Sequence, residues 1–324
     1  MMLRRIGMNW IIGLVLALVV ITGGLFLLSG GQFLVLDYTD FPQDKLEKLI
    51  TDISPGTLAI SGPSQVEGRS SMTRWARTLL PGTFFVDVSI NGRKASLVLD
   101  TGAAQTFLSP SLAVAAEVLV ASSRLTVQHG WRELPVYLGH VQELEINGLK
   151  IENVPVIVGG KQPVVKLVGL SVWNLDGILG MKPLQRLVLT LDYTRGVAVL
   201  YRQSPHTQEP SASLQIIKEP GSGNLEHPKP IVECLVNNSG PYSCFIDTGT
   251  SAPVFVPRAI WQALGLEGQR QSRLEIKLGE LELKEVPAIR ANVKYITIGS
   301  NIFQAQEFKH VTLDFLAGKL YAER

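Results

Sequence analysis

The chain has 324 residues, of which 46% are hydrophobic and 18% are charged, and its mean hydropathy is +0.20. This composition excludes a disordered chain and leaves enough apolar residues for the cores of about two domains. With 30 basic and 28 acidic residues the net charge is only +2, which argues against a nucleic-acid partner. Two cysteines are too few for a four-cysteine zinc site or a disulfide-rich scaffold.

The first predicted element is a transmembrane helix. The run from Trp10 to Leu28 contains no charged residue, and its only polar side chain is Thr22. A helix of this length spans about 28 Å, roughly the hydrocarbon thickness of a bilayer. A cleaved secretory signal is the alternative, but the run is longer than a usual signal core and no A-x-A-like cleavage site follows it.

Basic residues indicate the orientation of this helix. Arg4 and Arg5 precede it, whereas the first basic residue after it is Lys45. The positive-inside rule therefore predicts a cytoplasmic N-terminus over residues 1–9 and a signal anchor in the lipid bilayer over residues 10–29. We expect a single-pass membrane protein with the remainder outside the cytoplasm, as in a bacterial inner-membrane protein facing the periplasm.

The remaining sequence divides into four segments. Residues 30–79 are predicted to be a juxtamembrane segment, with one short amphipathic helix within Pro42–Ile53. Residues 80–204 and 229–324 alternate short apolar runs with Asn-Gly, Gly and Pro, a pattern typical of strands and hairpins. Residues 205–228 are rich in proline and polar residues and are predicted to be a linker. The chain is therefore predicted to be all-β, with two lobes.

The two β-rich blocks repeat one order of motifs. Each block begins with a strand, a turn, a second strand and then Asp-Thr-Gly, at Phe84–Ala113 and again at Pro230–Ile260. Further on, Leu149–Val158 matches Leu281–Arg290, and Gly177–Tyr193 matches Ile296–Phe315. Corresponding segments in one order favour an internal duplication over coincidence.

Two identical tripeptides carry the predicted chemistry, Asp100-Thr101-Gly102 and Asp247-Thr248-Gly249. An Asp-x-Gly sequence often only closes a turn, but that explains neither the repetition nor the apolar strand in front of each copy. Carboxylates at the ends of two equivalent strands suggest a pair across a pseudo-twofold axis. Two carboxyl groups about 3 Å apart cannot both be ionised, so they share one proton. One can then act as a base on water while the other donates its proton to a carbonyl.

These loops resemble those of aspartic proteases of the pepsin and retropepsin type. In each block an apolar pair and glycine follow the loop, as Ile178-Leu179-Gly180 and, with threonine first, Thr297-Ile298-Gly299. The sequence DTGAAQT resembles the retroviral form and DTGTS the C-terminal form of pepsin. The resemblance covers about residues 82–324 apart from the linker. It implies a bilobal pepsin-like fold of two closed β lobes.

The same resemblance implies that Asp100 and Asp247 are the catalytic pair. It also implies that the two threonine hydroxyls brace the loops against each other and that the glycines permit close backbone approach. The implied supporting residues are Thr101, Gly102, Thr248, Gly249 and Thr250. Ala103 departs from the pepsin pattern, in which a residue with a hydroxyl side chain at this position forms a hydrogen bond to the first aspartate. Its absence should favour the protonated form of that carboxyl.

The first block is longer than the second between corresponding motifs. From Asp100 to Val154 there are 54 residues, but from Asp247 to Val286 only 39. In pepsin-like enzymes a single flap from the N-terminal lobe covers the substrate, and the surplus around Arg124–Gly139 is where that flap would lie. The predicted residues of the flap tip are His129, Gly130 and Trp131. A solvated hairpin with a packed tryptophan is the alternative.

Cys234 and Cys244 flank the NNSG sequence of the second block. If the hairpin loop is three residues long, the two cysteines lie directly opposite each other and could form a disulfide in an oxidising compartment. The alternative is that both are small buried apolar residues.

Other chemistries find little support in the sequence. The histidines have no metal-binding spacing and are interpreted as surface residues; they are His129, His140, His206, His227 and His310. No G-x-S-x-G, P-loop or dinucleotide-binding motif follows a strand. We therefore expect neither a metal nor a cofactor.

The sequence thus predicts a membrane-anchored aspartic endopeptidase with a monomeric catalytic unit, which binds a protein or peptide substrate as an extended strand between its lobes. One alternative is a catalytically silent peptide-binding or scaffold module of the same fold in the periplasm. Another is that residues 32–80 occupy the cleft as an inhibitory or self-processed segment.

Overall fold

Short apolar runs separated by turn residues produce an all-β chain. The computed structural model describes residues 34–53, 56–70, 80–129, 132–167, 170–220 and 226–324. The chain divides into a smaller unit, Met1–Asp37 with Val164–Trp173, and a larger unit, Tyr38–Pro163 with Asn174–Arg324. The described residues of the smaller unit contribute to a three-stranded sheet in the order β1-β10-β11. The larger unit contains both lobes.

The described residues form 23 strands. The strands are β1 Leu34–Asp40, β2 Ala59–Ser61, β3 Gln65–Gly68, β4 Phe85–Ile90, β5 Arg93–Leu99, β6 Thr106–Leu108, β7 Leu119–His129, β8 Arg132–Ile146, β9 Leu149–Gly159, β10 Lys161–Leu167, β11 Leu170–Asn174, β12 Gly177–Leu179, β13 Val188–Asp192, β14 Val197–Tyr201, β15 Ala212–Pro220, β16 Glu226–Val236, β17 Ser239–Asp247, β18 Val254–Pro257, β19 Gln271–Leu278, β20 Leu281–Ala291, β21 Ile296–Gly299, β22 His310–Asp314 and β23 Lys319–Glu323. The helices are short: α1 Gln43–Glu47, α2 Pro110–Ala115, α3 Met181–Leu184, α4 Arg258–Ala263 and α5 Ser300–Ala305.

Each lobe is a closed barrel of six strands. In the first lobe the ring runs β4-β5-β12-β6-β9-β8 and returns to β4. In the second lobe it runs β16-β17-β21-β18-β20-β19 and returns to β16. The rings match strand for strand and in the sense of every pairing. The predicted internal duplication and bilobal all-β fold are thereby confirmed.

Alternating side chains fill the two barrels. In β5, Ala95, Leu97 and Leu99 are buried while the residues between them are partly exposed. In β16 the buried positions include Cys234 and Val236. Because successive side chains of a strand point to opposite faces, this alternation directs one face of every strand into the lobe's core.

A six-stranded sheet, in the order β15-β23-β22-β13-β14-β3, joins the lobes. Its two central strands come from different lobes, and Thr190 of β13 pairs with Thr312 of β22. Their buried hydroxyls are 2.7 Å apart and share a hydrogen bond. Equivalent strands of the two repeats therefore pair with each other at the centre of this interlobe sheet.

The turns that follow β13 and β22 are also repeated. Asp192 Oδ1 accepts the N–H of Arg195 at 2.8 Å, and Asp314 Oδ1 accepts the N–H of Ala317 at the same distance. Only the first copy carries an arginine, whose guanidinium binds both Asp192 and Glu67 of β3. This contact ties the edge strand of the sheet to the first lobe.

The segment before residue 80 differs from the predicted juxtamembrane segment. Strand β2 pairs with β9 and β3 pairs with β14, so both belong to the folded lobes and the first lobe begins before residue 80. The predicted amphipathic helix is limited to α1, whose Leu46 is 1% exposed. It ends early because Ile50 and Thr51 pair with Val120 of β7.

The predicted linker over residues 205–228 also differs from the structure. Residues of that range form β15 and the start of β16, which pair from Leu214↔Val232 to Pro220↔Glu226. Pro228 and Pro230 lie two positions apart, so their missing N–H groups fall on one side of the strand and leave the other side free to pair. A composition typical of a linker therefore lies within a hairpin.

The second hairpin has a shorter turn than predicted. Asn237 and Asn238 form a two-residue turn, both with positive φ, as a type I′ hairpin requires. The two-residue turn shifts the register away from one that would place the cysteines directly opposite each other. A bulge between Cys234 and Val236 restores one residue of this shift, so the cysteines are diagonal neighbours. They are nevertheless joined by a disulfide, with their Cα atoms 5.9 Å apart.

No helix among the described residues is long and apolar enough to cross a membrane. The predicted anchor over residues 10–29 lies outside the described residues.

Candidate active site

Two equivalent strand ends place the predicted carboxylates at the junction of the lobes. Asp100 directly follows β5, and Asp247 is the last residue of β17. Each strand is held in parallel pairing at this end, since Leu99 pairs with Leu179 and Asp247 with Gly299. The apolar strand before each Asp-Thr-Gly motif is therefore a central barrel strand that fixes the position of its carboxyl.

Backbone donors of each loop hold the carboxyl of that loop. Oδ1 of Asp100 accepts the N–H groups of Gly102 at 2.7 Å and Ala103 at 3.2 Å. Oδ1 of Asp247 accepts the N–H of Gly249 at 3.0 Å, and the N–H of Thr250 also donates to this carboxyl. Ala103 thus contributes its backbone N–H where the pepsin pattern has a hydroxyl side chain.

Each carboxyl also lies against the glycine of the opposite loop. A Cβ atom on Gly249 would be 2.2–2.5 Å from the Asp100 carboxyl group, and one on Gly102 would be 2.6–2.7 Å from that of Asp247. No side chain larger than hydrogen fits at these distances. The two carboxyls are hydrogen-bonded to each other across this junction.

The environment raises the pKa of Asp247 well above its usual range. The largest cause is burial, because protein atoms surround the carboxyl closely, and the second is the negative charge of Asp100. The hydrogen bond with Asp100 raises the pKa of Asp247 further, while the N–H groups of Gly249 and Thr250 oppose the shift. Asp247 therefore retains a proton over a pH range in which an isolated aspartate is ionised.

The two loops are joined by reciprocal hydrogen bonds between buried threonines. The N–H of Thr101 donates to Oγ1 of Thr248, and the N–H of Thr248 donates to Oγ1 of Thr101, both at 3.0 Å. Each hydroxyl then donates across the junction, Thr101 to the carbonyl of Ile246 at 2.7 Å and Thr248 to that of Leu99 at 3.0 Å. These four bonds connect the carboxyl-bearing strand ends of the two lobes.

Two residues that the sequence did not indicate contact the loops. Ser300, the first residue of α5, donates to the carbonyl of Thr248 at 3.3 Å and also to the carbonyl of Gly82. His227 of β16 places Nε2 at 3.3 Å from the carbonyl oxygen of Gly102. Neither residue belongs to a motif, so only the three-dimensional pairing of the lobes could indicate them.

The interpretation of the histidines as surface residues is wrong for His140, and His206, His227 and His310 are only partly exposed. His140 of β8 is only 6% exposed, and His227 is partly buried against the first loop. Among the described residues, no group of three or more His, Cys, Asp or Glu side chains could hold a metal ion.

The surplus residues of the first repeat form the hairpin β7–β8, where the second repeat has only β19. His129 is the last residue of β7, whereas Gly130 and Trp131, the other two predicted tip residues, lie outside the described residues. Near the base, the hydroxyl of Tyr137 donates to Oε1 of Gln43 at 3.1 Å. The hairpin is therefore attached to the segment before β2.

Two matching barrels, each with one Asp-Thr-Gly loop at the junction, fit the bilobal fold of pepsin-like aspartic proteases. Residues 86–186 match the family model described as gag-polyprotein putative aspartyl protease, which represents retropepsin-like enzymes. This range runs from β4 through the first Asp-Thr-Gly loop and the β7–β8 hairpin to α3. The resemblance seen in the sequence is thereby confirmed over this range of the first lobe. A comparison with curated proteins finds no match.

Substituting Thr101 should test the connection between the loops. Thr101→Val removes the hydroxyl that donates to Ile246 and accepts from Thr248, so we expect the free energy of unfolding to fall by about 2–4 kcal/mol. Thr101→Ser keeps the hydroxyl and should lose less than about 1 kcal/mol. Urea denaturation of both variants measures the difference. Equal stability of the Val and Ser variants would contradict the bracing role.

The raised pKa of Asp247 should appear in the pH dependence of stability. Between the ordinary aspartate pKa of about 3.9 and the raised value, the folded state binds more protons than the unfolded state, so the free energy of unfolding falls as pH rises. Asp247→Asn removes this contribution, and the variant should gain stability relative to wild type between pH 4 and pH 7. Denaturation midpoints at the two pH values measure it. Asp87→Asn, at an exposed position of β4, is the control and should leave the difference unchanged.

Proposed function

We propose that the protein is an aspartic endopeptidase that hydrolyses peptide bonds with a water molecule activated between Asp100 and Asp247. The observation that carries the proposal is the hydrogen-bonded carboxyl pair at the lobe junction, in which the pKa of Asp247 is raised. The family match of residues 86–186 supports a peptidase at the level of the family.

The two carboxyls have different environments, and these suggest their roles. Both carboxyls accept two backbone N–H groups of their own loops, but burial and the negative charge of Asp100 raise the pKa of Asp247, so we assign the ionised form to Asp100. Asp247 keeps the shared proton. Asp100 then removes a proton from water while the water oxygen bonds to the substrate's carbonyl carbon, and Asp247 gives its proton to the carbonyl oxygen.

The resulting tetrahedral diol collapses by the reverse proton movements. Asp247 takes back a proton from one hydroxyl as the carbonyl re-forms, and Asp100 gives its newly acquired proton to the departing nitrogen when the C–N bond breaks. The pair returns to its single shared proton, and the elements of water are divided between the two products. No covalent intermediate with the protein is needed.

The substrate would bind as an extended strand between the lobes, with its main chain hydrogen-bonded to strands and loops of the protein. The β7–β8 hairpin is present only in the first repeat, which fits a single flap. A catalytically silent peptide-binding module of the same fold is the alternative. The close pair of carboxyls argues against it, because such a pair costs stability and binding alone does not need it.

Asparagine substitutions test the proposed chemistry. Asp100→Asn and Asp247→Asn should each lower kcat/KM on a mixed peptide library by at least about a hundredfold, since each removes one proton-transfer group. Asp87→Asn removes an exposed carboxyl elsewhere in the first lobe and should retain wild-type activity. Circular dichroism and thermal melting would establish that all three variants fold.

The outcomes separate the alternatives. Cleavage that persists in either active-site variant would contradict the shared carboxyl pair. If the wild-type protein binds peptides without cleaving them at any pH between 3 and 8, it is a binding module rather than an enzyme.

We also propose that the enzyme is anchored by residues 10–29 in a membrane, with its lobes in an oxidising compartment outside the cytoplasm. The apolar run from Trp10 to Leu28 and the position of Arg4 and Arg5 support the anchor and its orientation. The disulfide between Cys234 and Cys244 supports the compartment, since disulfides are rare in the cytosol.

Fractionation and thiol labelling test this placement. The protein should sediment with membranes after a carbonate wash, and a variant lacking residues 1–29 should not. A thiol-alkylating reagent added at lysis should label neither Cys234 nor Cys244 unless the protein is first reduced. Release of the full chain by carbonate would contradict the anchor, and labelling without reduction would contradict the oxidising compartment.

A further inference from the structure

One side chain breaks the symmetry of the two Asp-Thr-Gly loops. Nε2 of His227 lies 3.3 Å from the carbonyl oxygen of Gly102. A carbonyl oxygen only accepts hydrogen bonds, so Nε2 must carry the proton and donate. The neutral imidazole with its proton on Nε2 and the imidazolium ion both satisfy this requirement. The contact therefore does not depend on the charge of the ring.

The acceptor of this bond is part of the peptide group that binds Asp100. The carbonyl of Gly102 and the N–H of Ala103 belong to one peptide unit, and that N–H donates to Oδ1 of Asp100 at 3.2 Å. A donor on the carbonyl polarises the peptide and makes its N–H a stronger donor. His227, the Gly102–Ala103 peptide and the Asp100 carboxylate thus form one chain of hydrogen bonds, in which every donor points toward the negative charge.

The second loop has no equivalent among the described residues. No hydrogen bond from a described residue reaches the carbonyl of Gly249, whose peptide donates to Asp247 through Thr250. The repeat explains why. His227 lies four residues before Ile231, and the corresponding residue of the first repeat, four before Phe85, is Pro81, which has no side-chain donor. The chain of bonds thus favours ionisation of only one aspartate.

We infer that His227 is a positioning residue that acts through the Gly102–Ala103 peptide to favour the ionised form of Asp100, so that the shared proton resides on Asp247. This inference rests on the proposed function, because it assigns the base and the acid of the proposed reaction. It also accounts for the alanine at residue 103: the donor that a hydroxyl side chain would supply comes instead from a backbone N–H strengthened by the second lobe.

The carboxylates near His227 on its hairpin have other partners. Glu219, which pairs with His227 across β15 and β16, binds Lys229 at 3.0 Å and Tyr295 at 2.6 Å and also contacts Lys294. Burial alone would raise the pKa of Glu219, but its bonds to Lys294, Tyr295 and Lys229 lower it to about 2. This carboxylate is therefore ionised and satisfied without the imidazole.

The neighbour of His227 on its own strand is also paired. Glu226 forms an ion pair with Lys218 of β15 at 3.1 Å. Both carboxylates next to His227 on the described part of the hairpin thus have other partners.

The protonation of the pair can be measured without catalysis. Carboxyl-carbon NMR of the full chain, labelled at aspartate, would follow both titrations, with Asp100→Asn and Asp247→Asn used for assignment. His227→Phe keeps an aromatic ring but removes the donor. It should raise the lower apparent pKa of the pair by about half a unit, a threefold change in ionisation constant. His227→Gln keeps a side-chain N–H and should restore the wild-type value.

The pH profile of kcat/KM gives the second readout. His227→Phe should move the acid limb upward by the same amount and leave the alkaline limb, which reports loss of the proton from Asp247, in place. A merely structural role would lower the melting temperature or kcat/KM without moving either limb.

Unchanged titrations in His227→Phe would overturn the inference. A gain in activity with an unchanged pH profile would also overturn it, because it would mean that the ring only obstructs the cleft. If the wild-type protein does not cleave peptides, the proposed function fails while the NMR titration still decides the role of His227.

Discussion

The structure depends on one constraint: it holds two carboxyl groups so close together that both cannot be ionised at once. Asp100 and Asp247 each lie against the glycine of the other's loop, so neither can retreat without opening the junction of the lobes. The four bonds of Thr101 and Thr248 keep that junction closed, and both threonines are completely buried. The pair then lowers its repulsion by sharing a proton, which is the property that hydrolysis requires. In the proposed reaction, the rigid junction therefore causes the sharing of the proton and does not only support the loops.

A symmetric frame cannot by itself decide which carboxyl is the base. The barrels, the interlobe sheet and the threonine bonds treat the two aspartates alike, down to the shared hydrogen bond of Thr190 and Thr312. The differences come from residues outside the repeated motifs. The first repeat alone contains the β7–β8 hairpin, and His227 of the second repeat contacts only the first loop. Duplication supplies the close pair, and small departures from it support the different roles proposed for the two aspartates.

Short-range sequence patterns predicted those features of the fold that depend on neighbouring residues in the chain. The alternating strands, the repeated loops and the duplication follow from residue spacing, because burial on one face of a strand requires it. The extent of the lobes did not follow, since β2 and β3 are recruited by pairing with β9 and β14, far along the chain. The hairpin β15–β16 has the composition of a linker, because prolines within it lack the N–H groups that indicate a paired strand. Contacts such as those of His227 and Ser300 depend on the meeting of two lobes, and no short motif encodes them.

The ionisable groups of the lobes bear on the pH at which this frame is most stable. Burial would raise the pKa of Asp192, but its bonds to Arg195 and Thr194 lower it, and the bonds of Glu219 lower the pKa of that group to about 2. Both contribute stability that is complete above the ordinary carboxyl pKa of about 4 and is lost as pH falls below it. Asp247 acts in the opposite direction, because its pKa is raised and stability is lost as pH rises above about 4. The two windows meet near the ordinary carboxyl pKa of about 4. The groups that stabilise the lobes and the group proposed to act as the acid in hydrolysis therefore favour the same mildly acidic range.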